Sequence, residues 1–114
     1  MIKKYLGRLT ISLVFSSVIF TTCKASPEQG KALYIQHGCW GCHGYEGQGG
    51  IAGPKLSPDP KPIDFYHGFI RYSSGAMPPY SEKILPKKDL IVIYEFLQSI
   101  PKGHDYKTIQ ILNN

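Results

Sequence analysis

Two stretches of the chain repeat apolar positions with a helical period, and a third carries helix start and stop signals. The clearest lies between Pro86 and Pro101, where Leu90, Ile93, Tyr94 and Leu97 fall at i, i+3, i+4 and i+7 and Ile91, Phe96 and Ile100 widen the apolar face. Residues 65–74 carry Tyr66, Phe69, Ile70 and Ser73 at the same spacing, with Asp64 placed to cap the start and Gly75 to stop the end. Residues 27–37 form the third, introduced by Ser26 as N-cap, Pro27 at the first helical position and Gln29 where a capping box wants Glu or Gln; Leu33 and Tyr34 supply its apolar stripe and Gly38 its stop. Between them, "GYEGQGGIAGPKLSPDPKP" (44–62) keeps neither a period of 2 nor one of 3.6 and reads as a loop that must pack on something. "AMPPY" (76–80) is barred from helix because each proline biases the residue before it towards extended backbone. No run of alternating β-branched residues suggests a sheet. The pattern predicts an all-α domain of about three helices, with an irregular tail from about residue 102.

The N-terminus follows a different pattern. Lys3, Lys4 and Arg8 precede an apolar run over residues 9–20, and a short polar stretch ends at Cys23-Lys24-Ala25. This is the layout of a secretory signal peptide (1–25) cleaved after Ala25, leaving one domain over 26–114 outside the cytoplasm, in the periplasm. The run is shorter than the roughly 20 apolar residues a spanning helix needs. Cys23 offers a rival, cleavage before a lipidated cysteine, although Thr22 stands where such sites carry a small residue; membrane association is expected only in that case.

Loss of the leader changes the charge. The whole chain carries 13 basic and 8 acidic residues, +5 in all; four of the basic residues leave with residues 1–25 and every acidic one stays, so 9 against 8 leaves +1. The basic balance belongs to the precursor, and no nucleic-acid partner is expected. Lys83, Lys87 and Lys88 remain as the densest local cluster, suited either to an acidic partner or simply to solvent.

The candidate chemistry sits in "GCWGCHGYEGQGG" (38–50), with Cys39 and Cys42 three apart and His43 directly after. A structural zinc site needs four ligands, commonly two spaced pairs, and the mature chain has no second pair. A redox dithiol needs a helix N-terminus in a βαβ setting, and here the motif follows a helix and precedes a glycine-rich loop. Covalent haem attachment uses every part: each thiol adds to a vinyl group on one porphyrin edge, and His43 is carried beneath the iron. Met77, the only methionine left after the leader, is a suitable second axial ligand, or else a filler of a core gap. His67 is its competitor, since a second imidazole would lower the potential; His37 is too close to the attachment point, and His104 lies in the tail.

"GKALYIQHGCWGCHG", "GPKL", "AMPPY" and "DLIVIYEFLQSIP", in this order, resemble a small bacterial class I cytochrome c over about residues 27–101. The resemblance implies a cytochrome c-like fold wrapped round one covalently attached haem c, with His43 and Met77 on the iron. It implies that the Pro54 carbonyl accepts a hydrogen bond from His43, that Leu56 packs on the haem, and that Gly30 and Tyr34 cross the last helix at Tyr94 and Leu97. One more residue separates Gly30 from Cys39 than in the family's common form. Arg71, Tyr66 and Tyr80 are candidates for the propionates, and Trp40 and Tyr45 for exposed contacts with a partner. The function implied is that of an electron carrier and not an enzyme, a monomer or a subunit of a redox complex. It would pass single electrons between a dehydrogenase or respiratory complex and an acceptor such as a terminal oxidase. The alternatives are a cytochrome subunit bound tightly to a periplasmic dehydrogenase, and a haem protein that binds a gas once Met77 leaves.

Overall fold

The computed structural model describes residues 24–103 and 106–112. The expected leader up to Cys23, the possible lipidation site, and His104 lie outside the described residues. The elements are α1 (Pro27–Gln36), α2 (Trp40–His43), α3 (Ile63–Tyr72) and α4 (Lys87–Ser99), followed by two single 3₁₀ turns, Tyr106–Thr108 and Gln110–Leu112. There is no strand among the described residues, so the all-helical class read from the periodicity is the one observed.

Each expected helix is present, with ends set by local chemistry. Ser26 Oγ accepts from the Gln29 N–H at 3.3 Å, so the side-chain N-cap of α1 forms as its residue types suggested. At the other end His37 is the C-cap and Gly38, at φ 75°, takes the left-handed position that a side chain would strain. Cys39 N–H donates to Tyr34 O at 3.1 Å and Gly38 N–H to Ile35 O at 3.0 Å, the paired bonds of a Schellman ending. This turn delivers the first cysteine directly beneath the helix end.

α3 starts earlier than Asp64 would place it. Pro62 is the N-cap residue, and Asp64 instead lies in the first turn, where its negative charge suits the helix dipole. Its end also moves back: Ser73 turns extended at ψ 135°, so the helix stops before Gly75 is reached.

α1 packs across α4, and α3 packs more lightly on α4. The close crossing is possible because position 30 is glycine: a Cβ there would lie 2.5 Å from both Phe96 Cβ and the Val92 carbonyl oxygen. The expected counterparts therefore need correcting. Gly30 and Tyr34 meet Val92 and Phe96, with the Tyr34 and Phe96 rings 5.6 Å apart, while Tyr94 turns to the other side of α4 and meets Tyr66 at 5.8 Å. Leu97 is buried, but against the loop at Gly47. One residue of α4 rotates a side chain by about 100°, so a small error in crossing register exchanges one neighbour for another.

The buried apolar core is Tyr34, Tyr66, Ile70, Leu85, Leu90, Ile93, Phe96 and Leu97. Packed at its margin and only partly covered are Cys39, Leu56, Met77 and Tyr80, drawn from three separate segments.

Candidate functional site

The site is built on α2, a single turn that the apolar pattern could not announce. His43 N–H donates to Cys39 O at 3.0 Å, which winds Cys39, Cys42 and His43 into one helical turn. Tyr34, fully buried, fixes the far end of that turn by donating its hydroxyl to Gly44 O at 2.8 Å. The phenol's titration is pushed up, chiefly by burial, so it stays a donor across the working range. The two thiols differ in setting. Cys39 lies against the core and burial pushes its thiol up to about 11, while Cys42 is exposed.

His43 is buried at 8% exposure, and its Nδ1 lies 2.7 Å from Pro54 O. A carbonyl only accepts, so Nδ1 carries the proton and Nε2 keeps its lone pair. That tautomer is the one a metal-bound imidazole needs, and such a partner also orients the ring. The loop brings Pro54 into place through bonds across its own base: Gly49 N–H to His43 O at 2.8 Å and Leu56 N–H to Gly47 O at 2.7 Å. Gly53 allows the close approach, since a Cβ there would meet Cys42 O at 2.8 Å and His43 Nδ1 at 2.9 Å. Gly53→Ala should therefore displace the imidazole from Pro54. If His43 ligates a redox metal, a less electron-donating imidazole would raise its reduction potential, by roughly 40 mV if the lost bond is worth about 1 kcal/mol, which redox titration would read.

Met77 lies half-buried at the margin of the core, on the strap between α3 and α4. Ser73 Oγ donates to Met77 O at 2.6 Å, Tyr80 N–H donates to Ile70 O at 2.8 Å, and Tyr80 Oη donates to His37 O at 2.9 Å. The last bond ties the strap to the end of α1, two residues ahead of Cys39. Cys39, Leu56 and Met77 thus border one apolar cluster. His67 is placed elsewhere: it sits in the groove between α3 and α4 with Ile63, Lys87 and Tyr94, its Nε2 3.6 Å from Glu82 Oε1. His37 is nearly covered, and its Nε2 lies 4.0 Å from Asp89 Oδ2.

The three propionate candidates all have partners within the chain. Tyr66 Oη donates to Leu56 O at 3.4 Å, Tyr80 Oη is held by His37 O, and Arg71 grips the strap. Trp40 and Tyr45 stack at 5.0 Å and remain exposed on the outer side of the attachment turn.

Among the described residues no three His, Cys, Asp or Glu side chains gather as a metal cluster. Two thiols and an imidazole with a free Nε2 on one turn form a donor set that suits haem c, with thiols to add to vinyl groups and a nitrogen for iron. The family model for cytochrome c oxidase, cbb3-type, subunit III matches residues 25–97. The chain belongs to this family. It is a class I c-type cytochrome domain, and the domain implies covalently bound haem c with its iron. No curated protein and no solved structure matches the cytochrome. The matched residues run from the start of α1 through most of α4, so they include the cysteine turn, the Pro54 loop and the Met77 strap. No helix among the described residues of the cytochrome is long and apolar enough to cross a membrane.

Proposed function

We propose that the protein is a periplasmic, mono-haem electron carrier with haem c attached through Cys39 and Cys42 and its iron held by His43 and Met77. The observation that carries this reading is the His43 imidazole, fixed through Nδ1 by Pro54 O at 2.7 Å on the same turn as both cysteines. Bound haem c supplies a one-electron ferric–ferrous couple. Everything else falls to the chain. Pro54 keeps His43 in the donating tautomer, which would lower the potential of a bound haem, Leu56 would shield it from water, and Met77 would offer its thioether to the iron. With His43 and Met77 both holding the iron, no position would be left there for a substrate, and the role would be transfer of electrons and not catalysis.

The family name, with its oxidase subunit, favours a terminal oxidase as the acceptor and a dehydrogenase or another cytochrome as the donor. Lys83, Lys87 and Lys88 support docking with an acidic partner. All three are exposed, and none makes an ion pair among the described residues. Lys87 and Lys88 stand in the first turn of α4, where the helix dipole disfavours cations, so they gain nothing locally from their position. Location outside the cytoplasm follows from the signal-peptide pattern of residues 1–25.

Met77→Ala tests the ligation. The sulfur-to-iron absorption of the oxidised protein should vanish, and carbon monoxide should bind the reduced variant rapidly, while the parent reduced with dithionite should not respond to the gas. Unchanged absorption and potential in the variant would remove Met77 from the iron. Rapid binding of carbon monoxide by the parent would favour a gas-binding protein.

A further inference from the structure

The segment that carries Met77 has little of its own to hold it. Gly75, Ala76, Pro78 and Pro79 are exposed, as are residues 81–84, and Leu85 alone is fully buried at its far end. A strap with so few covered contacts belongs to the low-stability part of a fold unless something fastens it. It is fastened at Tyr80, through the Ile70 and His37 carbonyls, and by Arg71 in the last turn of α3. Its Nη1 donates to Tyr80 O at 2.7 Å, its Nη2 donates to Leu85 O at 2.8 Å, and Nη2 also lies 3.1 Å from Glu82 Oε1. The guanidinium bridges Tyr80 and Leu85, on either side of exposed residues 81–84, and the Arg71 side chain is only 8% exposed.

Burying a permanent cation in this way is costly unless its donors are matched; two carbonyl dipoles and one carboxylate match the terminal nitrogens, while Nε is buried without a partner among the described residues. The grip reaches Met77 through a short, stiff path. Tyr80 is three residues beyond Met77, with Pro78 and Pro79 between them, each with φ locked by its ring. On the other side Ser73 Oγ holds Met77 O at 2.6 Å. Met77 is thus suspended between Ser73 and the Arg71-held Tyr80, and loosening Tyr80 releases one end of the suspension.

We infer that Arg71 is the positioning residue for the axial methionine, its guanidinium clamping the strap at Tyr80, Glu82 and Leu85 so that Met77 is presented to iron. This rests on Met77 being the axial ligand. Lysine keeps the charge but offers a single point donor, and it cannot bridge two carbonyls in the manner of a planar fork.

The experiment compares purified holoprotein of the parent, Arg71→Lys and Met77→Ala by three readings: sulfur-to-iron absorption, carbon monoxide binding to the reduced form, and far-ultraviolet helicity. Met77→Ala should lose the absorption. Arg71→Lys should keep its covalent haem and its helicity while the absorption weakens and the carbon-monoxide-accessible fraction rises about tenfold or more, the order expected for one lost charge-assisted bond. If Met77→Ala loses the absorption and Arg71→Lys keeps it at parental strength, the positioning role is overturned and the ligand assignment survives. If Met77→Ala itself keeps the absorption, the ligand assignment fails. Loss of helicity in Arg71→Lys along with the absorption would make Arg71 a support of the whole domain, which also overturns the inference.

Discussion

Gly30→Val is expected to leave little or no folded protein. A Cβ at position 30 would sit 2.5 Å from the Val92 carbonyl oxygen and 2.5 Å from Phe96 Cβ, and the first of these is helix backbone that cannot rotate away. Relief requires α1 to lift off α4, and with it goes the contact of Tyr34 on Phe96 that anchors the main crossing. Overpacking a core commonly costs about 1–3 kcal/mol, and a valine adds two methyl groups beyond the Cβ already in conflict. A small domain has a few kcal/mol in reserve. Gly30→Ala should therefore fold with a lowered midpoint of thermal unfolding, and Gly30→Val should fail to accumulate as holoprotein. Parental midpoints for both would mean that the crossing is looser than described.

The second large effect is expected from replacing Cys39 and Cys42 together by serine. The double variant should carry no haem that survives denaturation, because serine hydroxyls do not add to vinyl groups as thiols do. It should also lose helicity. Among the described residues eight apolar side chains are buried, while Leu56, Met77, Cys39 and Tyr80 line the margin of the core half-covered, and Phe65 and Phe69 stack on α3 with about half their surface exposed (53% and 49%). A chain of this size lacks the apolar burial to fold comfortably without a large additional body in its core. Circular dichroism at matched concentration would check this. A double variant with parental helicity and thermal midpoint would show that the polypeptide core suffices.

What the sequence made legible, and what it did not, follows from the range over which each feature is set. α3 and α4 each bury a stripe, and a stripe leaves a period, whereas α1 buries only Gly30 and Tyr34 and is marked instead by its ends. The N-cap at Ser26 and the stop at Gly38 rest on residue types suited to one backbone geometry, and both were readable. α2 has four residues, too few to show any period, and its helical turn is imposed by the Schellman ending above it and the Tyr34–Gly44 bond below. The cysteines and His43 could be singled out because their chemistry is rare and their spacing is fixed within one turn. Pro54 became a candidate only through resemblance, since an accepting carbonyl is present in every residue. Only the folded loop shows why this one is reached.

The same reason hides Arg71. Its partners are two main-chain oxygens and one carboxylate, and nothing in the identity of Tyr80 or Leu85 advertises a carbonyl in use. From the sequence alone it stood as a candidate for a propionate, whereas in the fold its two terminal nitrogens hold the strap. Trp40 is legible in neither way. It stacks on Tyr45 at the surface, and neither attachment nor ligation calls on it.

The most direct test of a single haem held on Cys39 and Cys42 is the intact mass of the exported protein under denaturing conditions. The expected mass is that of residues 26–114 plus one haem, with no thiol open to alkylation. A mass equal to the bare chain, with Cys39 and Cys42 both alkylated or joined as a disulfide, would contradict it.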